Sequence, residues 1–202
     1  IANIVIQAAI NSLGTVVIAA SSAAFNIEIF AYYVLNSFSQ ACTTFVGQNY
    51  GAGQIKRCRK ILLLCILEDA LASATVIILV LLSGRLLLSI FSSDPQVIEI
   101  GYTRLLIILS AYTFSMLYEN MSGYLRGFGD SLIPAVLTVI GVCAVRITWI
   151  YTVFQAYRTF TSILIAYPVS LSATALLIFT ALMIYRPSRR YAAANETGSG
   201  EI

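Results

Sequence analysis

The chain has 202 residues, of which 59% are hydrophobic and only 10% are charged, and its mean hydropathy is +0.87. Soluble proteins carry about 25% charged residues, so this chain has too little charge to cover the surface of a water-soluble globule. We therefore expect lipid to surround it. At roughly 20 residues for each bilayer crossing plus a short turn, the length leaves room for about six helices and no separate soluble domain.

The charge and residue counts exclude several classes of function. The net charge is only +3 at pH 7, whereas nucleic-acid binding requires a dense basic surface, so no nucleic-acid partner is predicted. The sequence contains no histidine, the most common general base and metal ligand, so we predict neither an enzyme nor a metal site. Four cysteines without CxxC spacing are interpreted as small apolar residues: Cys42, Cys58, Cys65 and Cys143.

Long apolar runs predict membrane-spanning helices, because the strands of membrane barrels are shorter and alternate in polarity. Six spans are predicted, over residues 1–20, 23–47, 61–83, 102–123, 132–157 and 159–185. The first begins at Ile1 without an initiator Met and is interpreted as truncated. We therefore predict an all-α polytopic membrane protein. Residues 1–190 are predicted to form a six-helix membrane region, and residues 191–202 a disordered cytoplasmic tail.

The basic residues sort to one side of the predicted bundle. Eight follow spans two, four and six, whereas three lie at the opposite connections. The eight are Lys56, Arg57, Arg59, Lys60, Arg126, Arg186, Arg189 and Arg190; the three are Arg85, Arg104 and Arg158. Because Lys and Arg concentrate on the cytoplasmic side, the basic side and the C-terminus are predicted to face the cytoplasm, across the inner membrane.

The connection between spans three and four contains a helix start. Asp94 followed by Pro95 is typical of an N-cap and a first helical position. The apolar stretch over residues 86–91 ahead of it is predicted to lie at the membrane interface.

Two short segments on the basic side carry the most specific pattern, GQNYGAG over residues 47–53 and GYLRGFGDS over residues 123–131. Each is interpreted as a helix end, a glycine-permitted turn and a helix start, with Asp130 or Ser131 capping the next helix. Taken alone, each segment is more typical of an ordinary interhelical turn than of a functional loop. The residues concerned are Gly47, Gln48, Asn49, Gly51, Gly53, Arg126, Gly127, Gly129, Asp130 and Ser131.

In this order, the two segments resemble the cytoplasmic loops of the multidrug and toxic compound extrusion (MATE) family. The resemblance runs from about residue 1 to 190 and includes NSLGT from Asn11 and VRITWIY in the fifth span. It implies a twelve-helix transporter made of two six-helix lobes, with this chain as the C-terminal lobe and the N-terminal lobe as its partner. It also implies exchange of H⁺ or Na⁺ for an organic, often cationic, compound.

The resemblance does not supply the coupling site. Family members with a sodium-type site in this lobe carry an Asp eleven residues before the arginine of the LRG motif. That position is Ser115 here. The coupling carboxylate is therefore another residue or belongs to the other lobe.

Charged residues inside a bilayer are costly, so the acids within the spans are candidates for ion coupling: Glu28, Glu119, Glu68 and Asp69. Each also has a structural interpretation, such as reaching the headgroups or lying near a basic cluster. Glu119 and Glu28 are the preferred candidates for a reversible proton site.

Arg146 lies deep in the fifth span and has two interpretations. Its side chain either extends to the outer interface, with Trp149 nearby as an anchor, or forms a buried ion pair with Glu28 or another acid. Because arginine stays charged, it is not the proton carrier.

Polar and aromatic residues within the spans predict a cavity, because polar groups avoid acyl chains and aromatic rings can stack on a planar cation. Packing and lipid contact are the alternative for the aromatic residues. The candidates are Gln7, Asn11, Tyr33, Asn36, Gln40, Tyr112 and Ser115.

We therefore expect one lobe of a cation-coupled antiporter that exports drugs or other organic compounds by alternating access. The expected partners are a small organic substrate, the lipid bilayer and the other lobe, with H⁺ or Na⁺ as coupling ion and no further cofactor. The alternative is a flippase for lipid-linked saccharides, which the scarcity of basic residues within the spans argues against. More distant alternatives are a membrane enzyme and a structural helical module.

Overall fold

Residues 2–188 are described by a computed structural model, and within this range the chain is helical with no β-strand. This confirms the predicted all-α class. The predicted tail over residues 191–202 lies outside the described part of the chain. The helices are α1 (Ala2–Asn11), α2 (Thr15–Gly51), α3 (Ile55–Ser89), α4 (Pro95–Gly127), α5 (Leu132–Ala156) and α6 (Phe160–Tyr185).

Five of these helices, α2 to α6, are long and apolar enough to cross a membrane. Helix α1 has ten residues, which correspond to about 15 Å and fall short of the roughly 30 Å hydrocarbon core. Within the described residues the structure therefore has the six predicted helices, of which five are long enough to span a membrane and the first is short.

The boundary between the first two spans was predicted in the wrong place. The helix ends at Asn11, and the chain turns at Gly14, whose φ of 102° lies in the left-handed region that favours glycine. The predicted break near Ser21 and Ser22 does not exist, because both serines lie within α2. As a result α2 has 37 residues and is about 55 Å long, well beyond the hydrocarbon thickness.

The end of α3 also differs from the prediction. The helix continues into the stretch over residues 86–91 that was predicted to be interfacial and ends at Ser89. Apolar side chains near this end of the helix, such as Leu82 and Leu86, are exposed on the surface of the bundle, where they can contact lipid. The predicted start of α4 is confirmed, because Asp94 accepts a hydrogen bond of 2.9 Å from the backbone of Gln96 and Pro95 is the first helical residue.

Helix α4 forms the centre of the bundle. It packs against α2, α3 and α6 and carries more buried residues than any other described helix. Its contact with α2 is the most extensive in the described structure. Helix α3 is the least buried of the spanning helices and α1 rests mainly on α5 and α2. The arrangement leaves α1, α2, α4, α5 and α6 around a common space.

Helix α5 contains a π-helical turn over Val139–Ala144. Gly141 lies in this turn and is buried against α6, where an added Cβ would come within 2.3 Å of Thr174 Oγ1. The missing side chain thus lets α5 and α6 approach closely just before Arg146. Turns of this kind occur often at functional sites.

The glycines of the two sequence motifs serve two purposes. Gly53 (φ 70°) and Gly129 (φ 91°) occupy left-handed conformations in the turns, as predicted. Gly123 and Gly127 instead lie inside α4, four residues apart, and let α2 approach. A Cβ on Gly123 would lie 2.5 Å from the backbone oxygen of Ser39 on α2. Close packing through small residues at this spacing is common between membrane helices.

Other parts of the motif prediction are corrected. The motif residues Gly47, Gln48, Asn49 and Gly51 belong to the last turns of α2, so the turn itself is shorter than predicted. Ser131 precedes α5 without any side-chain capping hydrogen bond, and no such bond is formed by Asp130 either. The backbone turn over Phe128 to Ser131 is closed instead by main-chain bonds, including one from Asp130 N to Leu125 O.

Candidate functional site

A cavity of about 680 Å³ lies between five of the helices. Residues of α1, α2, α4, α5 and α6 line it, and α3 contributes none. Its wall contains four charged side chains, Glu28, Arg104, Glu119 and Arg146, together with the aromatic residues Phe25, Tyr32, Tyr112, Tyr118 and Tyr167. A concave space that combines apolar rings with a few charged groups is typical of a site for small molecules.

The most buried charged groups of the wall form an ion pair between α2 and α4. Arg104 donates from Nη2 to Glu28 Oε1 at 2.5 Å and from Nε to Oε2 at 3.2 Å. Its Nη1 atom donates to Ser21 Oγ at 2.9 Å. Only 3% of the Arg104 side chain and 4% of the Glu28 side chain are exposed. The two-point geometry is the strong form of an arginine–carboxylate contact.

Arg146 adopts neither of its two predicted interpretations. Its guanidinium does not extend to the interface, because the residue is only 7% exposed and lines the cavity. It donates from Nε to Ser170 Oγ at 2.9 Å and from Nη1 to Asn3 Oδ1 at 3.3 Å, and it lies 4.3 Å from the ring centre of Tyr167. Among the described residues, no carboxylate oxygen lies within ion-pair distance of it.

Glu119 is the other carboxylate at the cavity wall. About 14% of its side chain is exposed, and the hydroxyl groups of Tyr32 and Tyr118 lie next to it. Arg126 Nη2 lies 4.0 Å away, too far for a hydrogen bond. Arg126 instead donates to Ser39 Oγ at 2.8 Å, and Ser39 donates to the backbone oxygen of Glu119 at 2.7 Å. Glu119 is thus accessible from the cavity and only loosely paired.

The adjacent acids of α3 lie outside the cavity. Glu68 is on the exposed face of the helix. Asp69 is fully buried against α4, where its carboxylate accepts hydrogen bonds from Ser73 Oγ at 2.7 Å and Asn120 Nδ2 at 2.6 Å. Within residues 2–188 there is no group of three His, Cys, Asp or Glu side chains that could hold a metal ion.

The predicted cavity-lining residues divide into two groups. Gln7, Tyr112 and Ser115 are at the cavity wall. Asn11, Tyr33, Asn36 and Gln40 are not among its lining residues. Asn36 and Gln40 continue the stripe of α2 that carries Tyr32, at spacings of four residues, but they lie beyond the cavity toward the motif end. Tyr33 is on an exposed face of α2, and Asn11 bonds to Gln7 at the end of α1.

Sequence reasoning missed three residues of the charged cluster. Arg104 was placed at the outer connection before the fourth span, whereas it lies nine residues, about 14 Å, inside α4. Ser21 was assigned to a turn, and Tyr167 was not considered. The sequence did contain a signal for the position of Arg104. An arginine inside an apolar run needs a carboxylate partner, and Glu28 lies 13 residues inside α2.

The sequence is similar to known extrusion proteins. The MatE family model matches residues 1–152. The probable multidrug resistance protein NorM of Thermotoga maritima is 29% identical over 133 residues, which are 66% of this chain and 29% of that protein. Multidrug and toxin extrusion protein 1 of Mus musculus is 28% identical over 133 residues, 64% of this chain and 23% of that protein.

A third relative, the probable multidrug resistance protein NorM of Idiomarina loihiensis, is 31% identical over 129 residues, 63% of this chain and 28% of that protein. The chain therefore spans less than a third of the length of these relatives. The helices that are long enough to cross a bilayer agree with a multi-pass membrane location. Because the family match covers more than half of the chain, this protein belongs to the MatE family of multidrug and toxin extrusion transporters, which are not enzymes.

Proposed function

We propose that this chain forms the C-terminal six-helix lobe of a twelve-helix antiporter that exports drugs or other organic compounds in exchange for H⁺ or Na⁺. Family membership supports the transport of organic compounds. The chain covers less than a third of each of these relatives, which supports the presence of a second lobe. The cavity is the observation that carries the proposal, because it combines aromatic rings with a carboxylate inside a membrane bundle.

Glu119 is the proposed coupling carboxylate of this lobe. Its side chain faces the cavity and is paired only loosely, with Arg126 at 4.0 Å, whereas Glu28 is held at two points by Arg104. Asp69 is enclosed between α3 and α4, away from the cavity, and Glu68 faces outward. An ion that enters the cavity therefore meets Glu119 as the most available carboxylate.

The contacts around Glu119 suggest how ion binding changes the lobe. A bound H⁺ or Na⁺ neutralises the carboxylate and weakens its attraction to Arg126, 4.0 Å away. Arg126 also holds Ser39 of α2, so the change reaches the contact between α2 and α4. Alternating access requires that the ion bind one conformation more tightly than the other. The contact between these two helices is the proposed moving part.

The proposed location is the cytoplasmic (inner) membrane with the C-terminus in the cytoplasm. The two motif turns and the end of α6 lie at the same end of the bundle, because Val46, Phe128 and Leu182 share one apolar cluster. Lys56 to Lys60 follow the first turn, and Arg126 precedes the second. An excess of basic residues at one end favours the cytoplasmic side.

The test uses the full-length protein in phosphatidylcholine proteoliposomes. Ethidium is added outside, and the vesicles contain either excess H⁺ or excess Na⁺, so that the outward ion flow drives uptake. We expect one of the two gradients to accelerate uptake and Glu119→Gln to abolish that acceleration. The coupling proposal would be contradicted if neither gradient changed the rate of ethidium uptake, or if Glu119→Gln retained the full acceleration.

A matched control is Glu99→Gln. Glu99 lies near the other end of α4, exposed and paired with Arg85 at 2.7 Å, and it is not at the cavity wall. Its replacement is expected to leave gradient-driven uptake unchanged. A loss of uptake equal to that of Glu119→Gln would show that any charge change in α4 is harmful.

A flippase for lipid-linked saccharides is the second candidate. The observation that favours it is the presence of two arginines, Arg104 and Arg146, at the cavity wall. Their guanidinium groups would attract the phosphate group of such a lipid. Movement of a fluorescent lipid-linked saccharide between leaflets, without ethidium uptake, would select this function instead.

A further inference from the structure

The charged cluster of the cavity has a surplus of positive charge. Two guanidinium groups, those of Arg104 and Arg146, surround one described carboxylate, that of Glu28. Tyr167 lies between the arginines, with its ring centre 5.7 Å from the first guanidinium and 4.3 Å from the second. Glu119 does not remove the surplus, because its neighbouring cation is Arg126. Among the described residues, the cluster therefore retains one uncompensated positive charge.

That charge resides on Arg146. Glu28 already has both carboxylate oxygens bonded to Arg104. Within residues 2–188, the hydrogen bonds of Arg146 go to the neutral acceptors Ser170 and Asn3. The residue is 93% buried, as its 7% exposure shows. A buried charge without a counter-charge is costly, so an anionic partner gains more there than at the surface. The guanidinium still has donor capacity, because it carries five N–H groups.

The position of Arg146 is fixed by the backbone around it. The π-helical turn over Val139–Ala144 and the close approach of Gly141 to Thr174 hold α5 against α6. One turn before Thr174 in α6, Ser170 accepts a hydrogen bond from Arg146. A guanidinium held in this way loses little conformational freedom when it binds a ligand, which favours affinity.

The walls beside the cluster are aromatic. Tyr112 and Phe25 line the same cavity, and Tyr167 is stacked on Arg146. Such surfaces suit a flat apolar body. From this juxtaposition we propose that the cavity binds aromatic compounds through an anionic carboxylate, sulfonate or phosphate group, with Arg146 as the residue that holds the anion. The inference deepens the proposed function, since it names an anion-bearing class among the exported compounds.

The test compares two dyes with the same xanthene body, anionic fluorescein and cationic rhodamine 123. Binding to the full-length protein in phosphatidylcholine vesicles is followed by fluorescence polarisation. We expect fluorescein to bind the wild type and Arg146→Gln to weaken it by about tenfold or more, the value of a lost charge-assisted bond. In the Arg146→Gln variant, rhodamine 123 binding is expected to stay unchanged or become tighter. The fluorescein affinity of Arg146→Lys is expected to lie between those of the wild type and Arg146→Gln.

Arg85→Gln is the matched control, because Arg85 is exposed and paired with Glu99 away from the cavity. It is expected to bind both dyes like the wild type. Equal fluorescein affinity in wild type and Arg146→Gln would overturn the proposal. An equal loss of affinity for both dyes in Arg146→Gln would also overturn it, because Arg146 would then only maintain the fold.

A lipid headgroup is another source of the same anionic chemistry. In vesicles that also contain phosphatidylglycerol, fluorescein binding is expected to persist. Full displacement by phosphatidylglycerol in the wild type would identify a lipid as the occupant and overturn the assignment to exported compounds. These measurements use no ion gradient. Gradient-driven ethidium uptake therefore stands or fails separately.

Discussion

Helices α2 and α4 are joined in two regions that use different chemistry. Toward the motif end, Gly123 and Gly127 remove side chains so that the backbones approach, and a Cβ on Gly127 would lie 2.6 Å from Val46. At the cavity, the same two helices are joined by the ion pair of Glu28 and Arg104. The first contact depends on glycines that lack a side chain, and the second depends on a pair of opposite charges.

The difference shows which region can respond to a ligand. Close backbone packing has one favourable arrangement and nothing in it to titrate or exchange. The charged region contains groups that solvent, ions and substrates can reach through the cavity. We therefore expect the glycine contact to act as the pivot about which α2 and α4 move, and the charged contact to sense what the cavity holds.

The largest effect is expected from breaking the buried pair. Glu28→Gln leaves Arg104 without a carboxylate beside the already uncompensated Arg146. The free energy of unfolding should fall by about 3–5 kcal/mol, the usual cost of removing one partner of a buried pair. Thermal unfolding of the full-length protein in detergent measures this effect.

The double variant Glu28→Met with Arg104→Met distinguishes the pair from simple packing. Replacing both charges by apolar side chains of similar length should recover most of the lost stability, because no buried charge then lacks its partner. If the double variant is less stable than Glu28→Gln, the charged contact is not the reason for the loss.

A smaller effect is expected from filling the glycine contact. Gly123→Ala places a Cβ 2.5 Å from the backbone oxygen of Ser39, which cannot rotate away. Overpacking of this kind should lower the free energy of unfolding by about 1–3 kcal/mol in thermal unfolding experiments. Gly51→Ala is the control, since nothing lies within 4 Å of an added Cβ there. Equal melting temperatures for the two variants would show that the helices are not in close contact.

The smallest effect is expected at the link between the two regions. Ser39→Ala removes the hydroxyl that donates to the backbone of Glu119 and accepts from Arg126. A loss of about 0.5–1.5 kcal/mol is expected from one such hydrogen bond, measured by thermal unfolding. Ser37→Ala is the matched control, because Ser37 is exposed and bonds only to Tyr33 of its own helix. A Ser37→Ala loss as large as that of Ser39→Ala would contradict an interhelical role.

Local signals in the sequence were sufficient for several elements. Asp94 and Pro95 predicted the start of α4, because a cap depends on neighbouring residues alone. The turns at Gly53 and Gly129 were predicted for the same reason. Ser21 was misassigned, because a serine in an apolar run resembles a turn until its distant partner Arg104 is known.

The sequence by itself determined the lipid environment, the helical class and the family, because hydropathy, composition and motif order are properties of the chain read in order. Only the tertiary structure decided how the charges are arranged. Glu28 and Arg104 are 76 residues apart in the chain, and Arg146 reaches Asn3 across 143 residues. Such contacts depend on how the helices rotate and cross, and this is set by packing over the whole bundle.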